Sequence, residues 1–304
     1  GGGLQISLDG GQTWDSPANF PAQGSNREAL DVKISEDGVI FLCQNRQYYR
    51  SEDGINFELR SGVAGFPVTN VDRIEFAIAP TDPNYVYALI SNNASALRGI
   101  YKSTDAGLSW TAISPENSET FNPLGSQGFY DMCILVDNQN KDKAFVGGQL
   151  EFYSGLSGGW NLIATSFSPR TSGYYIHADM HSIHQSPTNP EVLFICSDGG
   201  SFKSTNASEQ FPIFKDANKN QVTTQFYTVQ ADRFGRSIGG TQDNGMQLID
   251  GFGNNPTTSN DLDGFGDGGY GAISNINPDA MYGQSQFGEL KRSSNGGQAF
   301  GAFF

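Results

Sequence analysis

The chain has 304 residues and a formal net charge of -14, with a sequence pI near 4.5. That balance argues against nucleic acid or an anionic membrane as a partner, and favours cations, neutral glycans or basic proteins. Its 38 glycines suit short strands and tight turns, while a 12% aromatic share supplies the core that a disordered chain lacks.

No apolar run is long enough to span a bilayer, so direct membrane insertion is not expected. Cys43, Cys133 and Cys196 each sit inside an apolar run of a different repeat and read as buried free thiols. With no signal peptide, no initial Met and a start inside a strand, the sequence is expected to be a processed or partial chain.

The organising feature is a polar turn closed by a ring. It is clearest at Ser103-Thr104-Asp105-Ala106-Gly107-Leu108-Ser109-Trp110 and is repeated at Ser7 to Trp14. It recurs with Asn295 for Asp at Ser293 to Phe300, one residue shorter at Ser51 to Phe57, and in worn form at Ser204 to Phe211. A short acid or amide bonds back to its own backbone, glycine supplies positive φ, and the ring plugs the hairpin onto the core. Recurrence at roughly 50 residues points to a propeller or solenoid.

In chain order, residues 1–304 read as one all-β domain, a β-propeller of four-stranded antiparallel blades. Residues 1–22 supply a partial blade, and 27–61, 71–114, 129–165, 178–218, 223–262 and 267–304 supply six complete ones, so seven blades are expected, with six blades and a lone flanking hairpin as the alternative. In the blade at 129–165 the inner strand is expected from Tyr130 onward. Thr241 to Gly245 imitates the turn by its letters but follows a second strand directly, too early to join a third strand to a fourth.

Strand order puts the Ser-x-Asp turns and the Pro-x-x-Pro turns on one face. A ligand site is expected on the other, at the mouth of the channel. Aligning the repeats brings Asp72, Asp131, Asp179 and Asp267 into one register near the starts of inner strands, where grouped carboxylates would bind a cation or raise a member's pKa. In His177-Ala178-Asp179-Met180-His181, strand alternation would put His177, Asp179 and His181 on one face, as metal ligands, an acid-base pair or polar channel lining. The loops on that face offer Asp198, Gln242, Asp243, Asn244 and Gln286 as sugar-binding groups, with Tyr130 able to stack on a sugar ring. Asp261, Asp263 and Asp267 alternate with glycine as in a calcium loop but lack its closing Glu, making Ca²⁺ a possible cofactor there.

These turns are similar to the Asp-box of BNR-type, sortilin-like propellers. Segments 130–148, 177–205, 223–232, 239–245 and 267–297 together resemble the secreted members of that group that serve as type IX secretion cargo. The resemblance implies a seven-bladed propeller exported to the medium or cell surface, without a defined reaction. More distantly the chain resembles xyloglucan-cleaving propeller hydrolases, which place one catalytic Asp on each of two propellers.

Three functions follow. The first is a secreted or surface module binding glycan or protein through the face opposite the Asp-boxes. The second is a glycoside hydrolase or lyase using two of the inner-strand acids, Asp72, Asp131, Asp179 and Asp267, with His181 assisting. The third is a structural subunit or cargo in a larger outer-membrane or surface assembly.

Overall fold

The computed structural model describes residues 3–17, 20, 29–156, 158–219, 223–249, 259–262 and 266–303, with 29–30 and 259–262 described in backbone only. The chain forms two compact units, Gly1–Lys219 and Asn220–Phe304. Among the described residues are six four-stranded antiparallel sheets, each a meander in which consecutive strands pair.

Four sheets lie in the first unit. The first holds β1 (Ala29–Ile34), β2 (Ile40–Gln44), β3 (Gln47–Ser51) and β4 (Glu58–Leu59). The second holds β5 (Ile74–Ile78), β6 (Val86–Ser91), β7 (Leu97–Ser103) and β8 (Thr111–Ala112). The third holds β9 (Cys133–Val136), β10 (Lys143–Gly147), β11 (Glu151–Leu156) and β12 (Gly159–Thr165). The fourth holds β13 (Met180–Gln185), β14 (Leu193–Ser197), β15 (Gly200–Ser204) and β16 (Phe214–Asp216). Ahead of them a hairpin closes by mutual bonds between Ile6 and Asp15 (2.8 and 3.0 Å).

The second unit holds two sheets. One is β17 (Phe226–Ala231), β18 (Ser237–Thr241), β19 (Met246–Ile249) and β20 (Ser259–Leu262); the other is β21 (Gly268–Ile273), β22 (Met281–Ser285), β23 (Leu290–Ser293) and β24 (Gly301–Ala302). Thr241 to Gly245 is the turn between β18 and β19, which is why its Asp-box lettering does not place it with the other turns.

The core is made between neighbouring sheets. Phe41 and Tyr48 of the first sheet pack with Phe76 and Trp110 of the second. Phe145 and Phe152 of the third pack with Ile183 and Phe202 of the fourth. Every residue of β6 is buried, as befits a strand covered on both faces. The fourth strands β4, β8 and β24 are two exposed residues each, shorter than their sequence suggests, and short edges limit unwanted pairing.

The polar turns close as their residues dictate. Ser103 Oγ donates to Asp105 Oδ1 (2.7 Å), the Gly107 amide donates to Ser103 Oγ (2.8 Å), and the Ser109 amide donates to Asp105 Oδ1 (2.8 Å). The same bonds recur at Ser7, Asp9, Gly11 and Thr13, and at Ser293, Asn295, Gly297 and Ala299. Gly107 has φ +79, and a Cβ there would meet Tyr48 Oη at 2.4 Å and Phe41 at 2.6 Å, so the turn needs glycine for conformation and for space. Identical local bonding does not ensure identical seating. Trp110 is 5% exposed and Trp14 57%.

Candidate functional site

In the first unit the leading strands of neighbouring sheets touch, β1 on β5, β5 on β9 and β9 on β13. Residues just ahead of them therefore share a neighbourhood. Asp131 stands two positions before β9. The strand does not begin at Tyr130, because the amides of Tyr130 and Asp131 both donate to the Gln127 carbonyl (2.7 and 3.0 Å) and wind 127–131 into a turn. Asp179 directly precedes β13 with φ 60. Its amide donates to the Gln149 carbonyl (2.8 Å), and its own carbonyl accepts from the Asp198 amide (3.2 Å).

These backbone bonds bring three acids together. Asp131 is 0% exposed; among the described residues no side-chain cation pairs with its carboxyl, and the pull of its own backbone amide offsets its burial only in part. The Asp179 carboxyl lies within hydrogen-bonding reach instead, and an Asp179 oxygen is within 4.8 Å of one on Asp198. Two carboxyls bond each other only by sharing a proton. Burial, then the contact with Asp179, then the charge of Asp198 hold Asp131 well above the ordinary carboxylate range. Asp179 also accepts from Gln127 Nε2 (3.0 Å).

Toward the surface, Asp198 accepts from His181 Nε2 (2.7 Å) and Tyr130 Oη (3.1 Å). The Tyr130 and His181 rings meet edge to face, with centroids 4.8 Å apart. Tyr130 is 43% exposed and its neighbour Phe129 62%. Arg73 donates to the carbonyls of Phe129 (3.4 Å) and Tyr130 (3.0 Å), holding this loop from β5.

Other expected site residues lie differently. Asp72 is ion-paired with Arg46 of the β2–β3 turn (3.0 Å), not grouped with the acids. His177 does not share a face with Asp179 and His181. It precedes β13, the left-handed Asp179 and a register shift between Met180 and Ser182 break the alternation, and the His177 ring is buried so closely against Gly199 that a Cβ there would fall 2.2 Å from it.

In the second unit Asp267 Oδ1 accepts from the Asp243 amide (2.6 Å), the Asp267 amide donates to Gln286 Oε1 (2.9 Å), and Asn244 Nδ2 donates to the Gln242 carbonyl (3.2 Å). These bonds tie the β18–β19 turn to the segment ahead of β21 and to Gln286 just after β22. Asp261 is in strand β20, opposite Gln247, rather than in a loop, and Asp263 lies outside the described residues.

Sequence reasoning missed Gln127 and Glu75. Gln127 acts through a loop contact with Asp179 that has no sequence signature. Glu75 is the lone acid in the apolar strand IEFAI, two residues after Arg73 and bonded to it (3.2 Å), so alternation could have exposed it. Its carboxyl is pushed up to about 7 by burial and by the charge of Asp31, against the pull of Arg73 and Lys33.

No family model and no curated protein matches the chain. Solved structures do. A GH74 enzyme of Niastella koreensis is 18% identical over 99% of this chain and 47% of its own, with a TM-score of 0.68. The GH74 xyloglucanase of Xanthomonas campestris is 13% identical over 93% of this chain and 46% of its own (TM-score 0.50). PorZ, a surface component of the type IX secretion system of Porphyromonas gingivalis, is 15% identical over 93% of this chain and 36% of its own (TM-score 0.50). The chain thus spans less than half the length of each. With its meander sheets, this likeness shows the fold of a β-propeller with four-stranded antiparallel blades.

Proposed function

We propose that the chain is a secreted or cell-surface propeller that binds glycan through the Phe129–Tyr130 surface of its first unit. The observation that carries this reading is Tyr130 itself. It is an exposed ring at right angles to that of His181 with its hydroxyl on Asp198, which together offer an apolar platform beside groups that bond sugar hydroxyls. Some of the structures that the chain resembles are GH74 enzymes and another is a bacterial surface component, in keeping with a glycan-facing, exported role.

Hydrolysis has less support. Carboxyls that cleave glycosides stand about 5–5.5 Å or about 6.5–9.5 Å apart across the bond, whereas Asp131 and Asp179 are in contact and Asp131 is inaccessible. Asp72 is occupied by Arg46.

The test is binding to immobilised plant and algal polysaccharides. The wild type is expected to be retained. Tyr130→Ala should bind about tenfold more weakly, the loss of roughly one ring-stacking contact. Tyr130→Phe should lose less. Equal retention of wild type and Tyr130→Ala, or no retention of either, would retire the reading.

A further inference from the structure

We propose that the cleft between the second and third sheets is a binding site for a single pyranose ring of a neutral glycan. It encloses about 240 Å³, and Tyr87 of β6, Trp160 of β12 and Ile113 wall it, with Lys102 of β7 and Asp142 of the β9–β10 turn beside them. This is a different place from the Phe129–Tyr130 surface. Tyr130 stands ahead of β9 and Asp142 follows it, so the two lie at opposite ends of that strand.

The cleft accompanies a polar turn that has lost its acid. Trp110 and Trp14 each aim the ring nitrogen back at their own turn, donating to the carbonyls of Gly107 (3.1 Å) and Gly11 (3.2 Å). The turn that ends in Trp160 has neither Asp nor Asn between Ser154 and the ring. Trp160 pairs across its hairpin with Gly155, and its ring lies so close over that residue that a Cβ there would fall 2.4 Å from it. Its Nε1 donates to the Ile113 carbonyl, just after β8 of the preceding sheet (3.1 Å). The ring therefore bridges the two sheets, and space remains between it and Tyr87.

The lining selects the ligand. Two aromatic walls offer surfaces on which the C–H groups of a sugar ring pack. The Tyr87 hydroxyl already donates to the Lys141 carbonyl (2.7 Å), so Tyr87 contributes its ring. Lys102 and Asp142 form an ion pair, with side chains 16% and 42% exposed, and the Lys102 ammonium sits 4.7 Å from the centre of the Tyr85 ring. Adjacent charges of opposite sign attract and repel an ionic ligand alike. Neighbouring sugar hydroxyls suit both, one accepting from the ammonium and the other donating to the carboxylate. The net charge of -14 further disfavours an acidic glycan. Pockets for drug-sized ligands begin at about 300 Å³, so this smaller one suits one ring.

The test is titration of the isotope-labelled chain with the methyl glycosides of glucose, galactose and xylose, following the tryptophan indole N–H signals by NMR. At least one glycoside is expected to shift the Trp160 signal saturably in the millimolar range, while that of the buried Trp110 stays in place. Asp142→Ala should weaken this binding about tenfold, as loss of one hydrogen bond to a charged group does. If that variant does not fold, Lys102→Met takes its place with the same expected loss. The readout is local to Trp160, so its outcome is separate from polysaccharide retention through Tyr130. A Trp160 signal unmoved by all three glycosides overturns the proposal, as does binding that loss of the Asp142 or Lys102 side chain leaves unchanged. Tighter binding of N-acetylphenylalanine amide than of any glycoside also overturns it, by showing a cleft for an apolar peptide side chain.

Discussion

Asp105 and Asp131 carry the same side chain in opposite surroundings. Asp105 sits in a surface turn, where burial is the largest single influence and disfavours its charge, but the hydroxyl and amide of Ser109, the Ser103 hydroxyl and the Leu108 amide together outweigh it and hold its carboxyl below the ordinary range. Asp131 is buried with a second acid for company and is held above that range. One aspartate is kept ionised by donors four residues away or nearer. The other is driven toward neutrality by residues 48 and 67 positions distant. The first builds structure; the second is held by a proton shared with its neighbour.

The largest effect expected from breaking this contrast is on the turn side. Trp110→Ala should cost about 3–5 kcal/mol, as truncation of a buried ring does, while Trp14→Ala, from a turn with the same bonds but an exposed ring, should cost far less. Comparing urea unfolding midpoints checks this. Next, Asp105→Ala should cost about 1–2 kcal/mol, similar to loss of a helix cap. Asp105→Asn should cost less than half as much, because Asn295 already accepts the equivalent bonds from Ser293 and Ala299.

The contrast sharpens with pH. For Asp105, whose folded pKa is lowered, the contribution to stability is present above the ordinary Asp value of 3.8 and is lost as pH falls. For Asp131, whose folded pKa is raised, the sign reverses. Its contribution is full below pH 3.8 and declines as pH rises. Asp131→Asn should flatten the alkaline side of a melting-temperature scan and leave the acid side alone.

Glu75 should give the smallest effect. Its contribution is full below the ordinary Glu value of 4.5 and is lost as pH rises through about 7. Glu75→Gln should therefore melt higher relative to wild type at pH 8 than at pH 4. An unchanged difference between the two pH values would show that Arg73 compensates the charge.

The strands and polar turns were legible because their causes are local. Ser103, Asp105, Gly107 and Ser109 bond one another within seven residues, and the lettering that produces those bonds is visible wherever it recurs. Of the site, the candidate acids and Tyr130 could be named, but their grouping could not. The alternation that would place His177 beside Asp179 holds only for extended backbone, and the left-handed conformation of Asp179 ends it. The register that would align Asp72 with Asp131 says nothing of Arg46, which reaches Asp72 from the neighbouring sheet.

The sequence by itself determined the meander sheets, the turns and the acidity of the chain, since these follow from side chains acting on their own backbone and from composition. Only the tertiary structure decided that Asp131 and Asp179 meet without a counter-charge, and that Tyr130 lies over Asp198. Those contacts depend on where loops from different sheets come to rest, and each loop's path is fixed by bonds to partners far away in the chain.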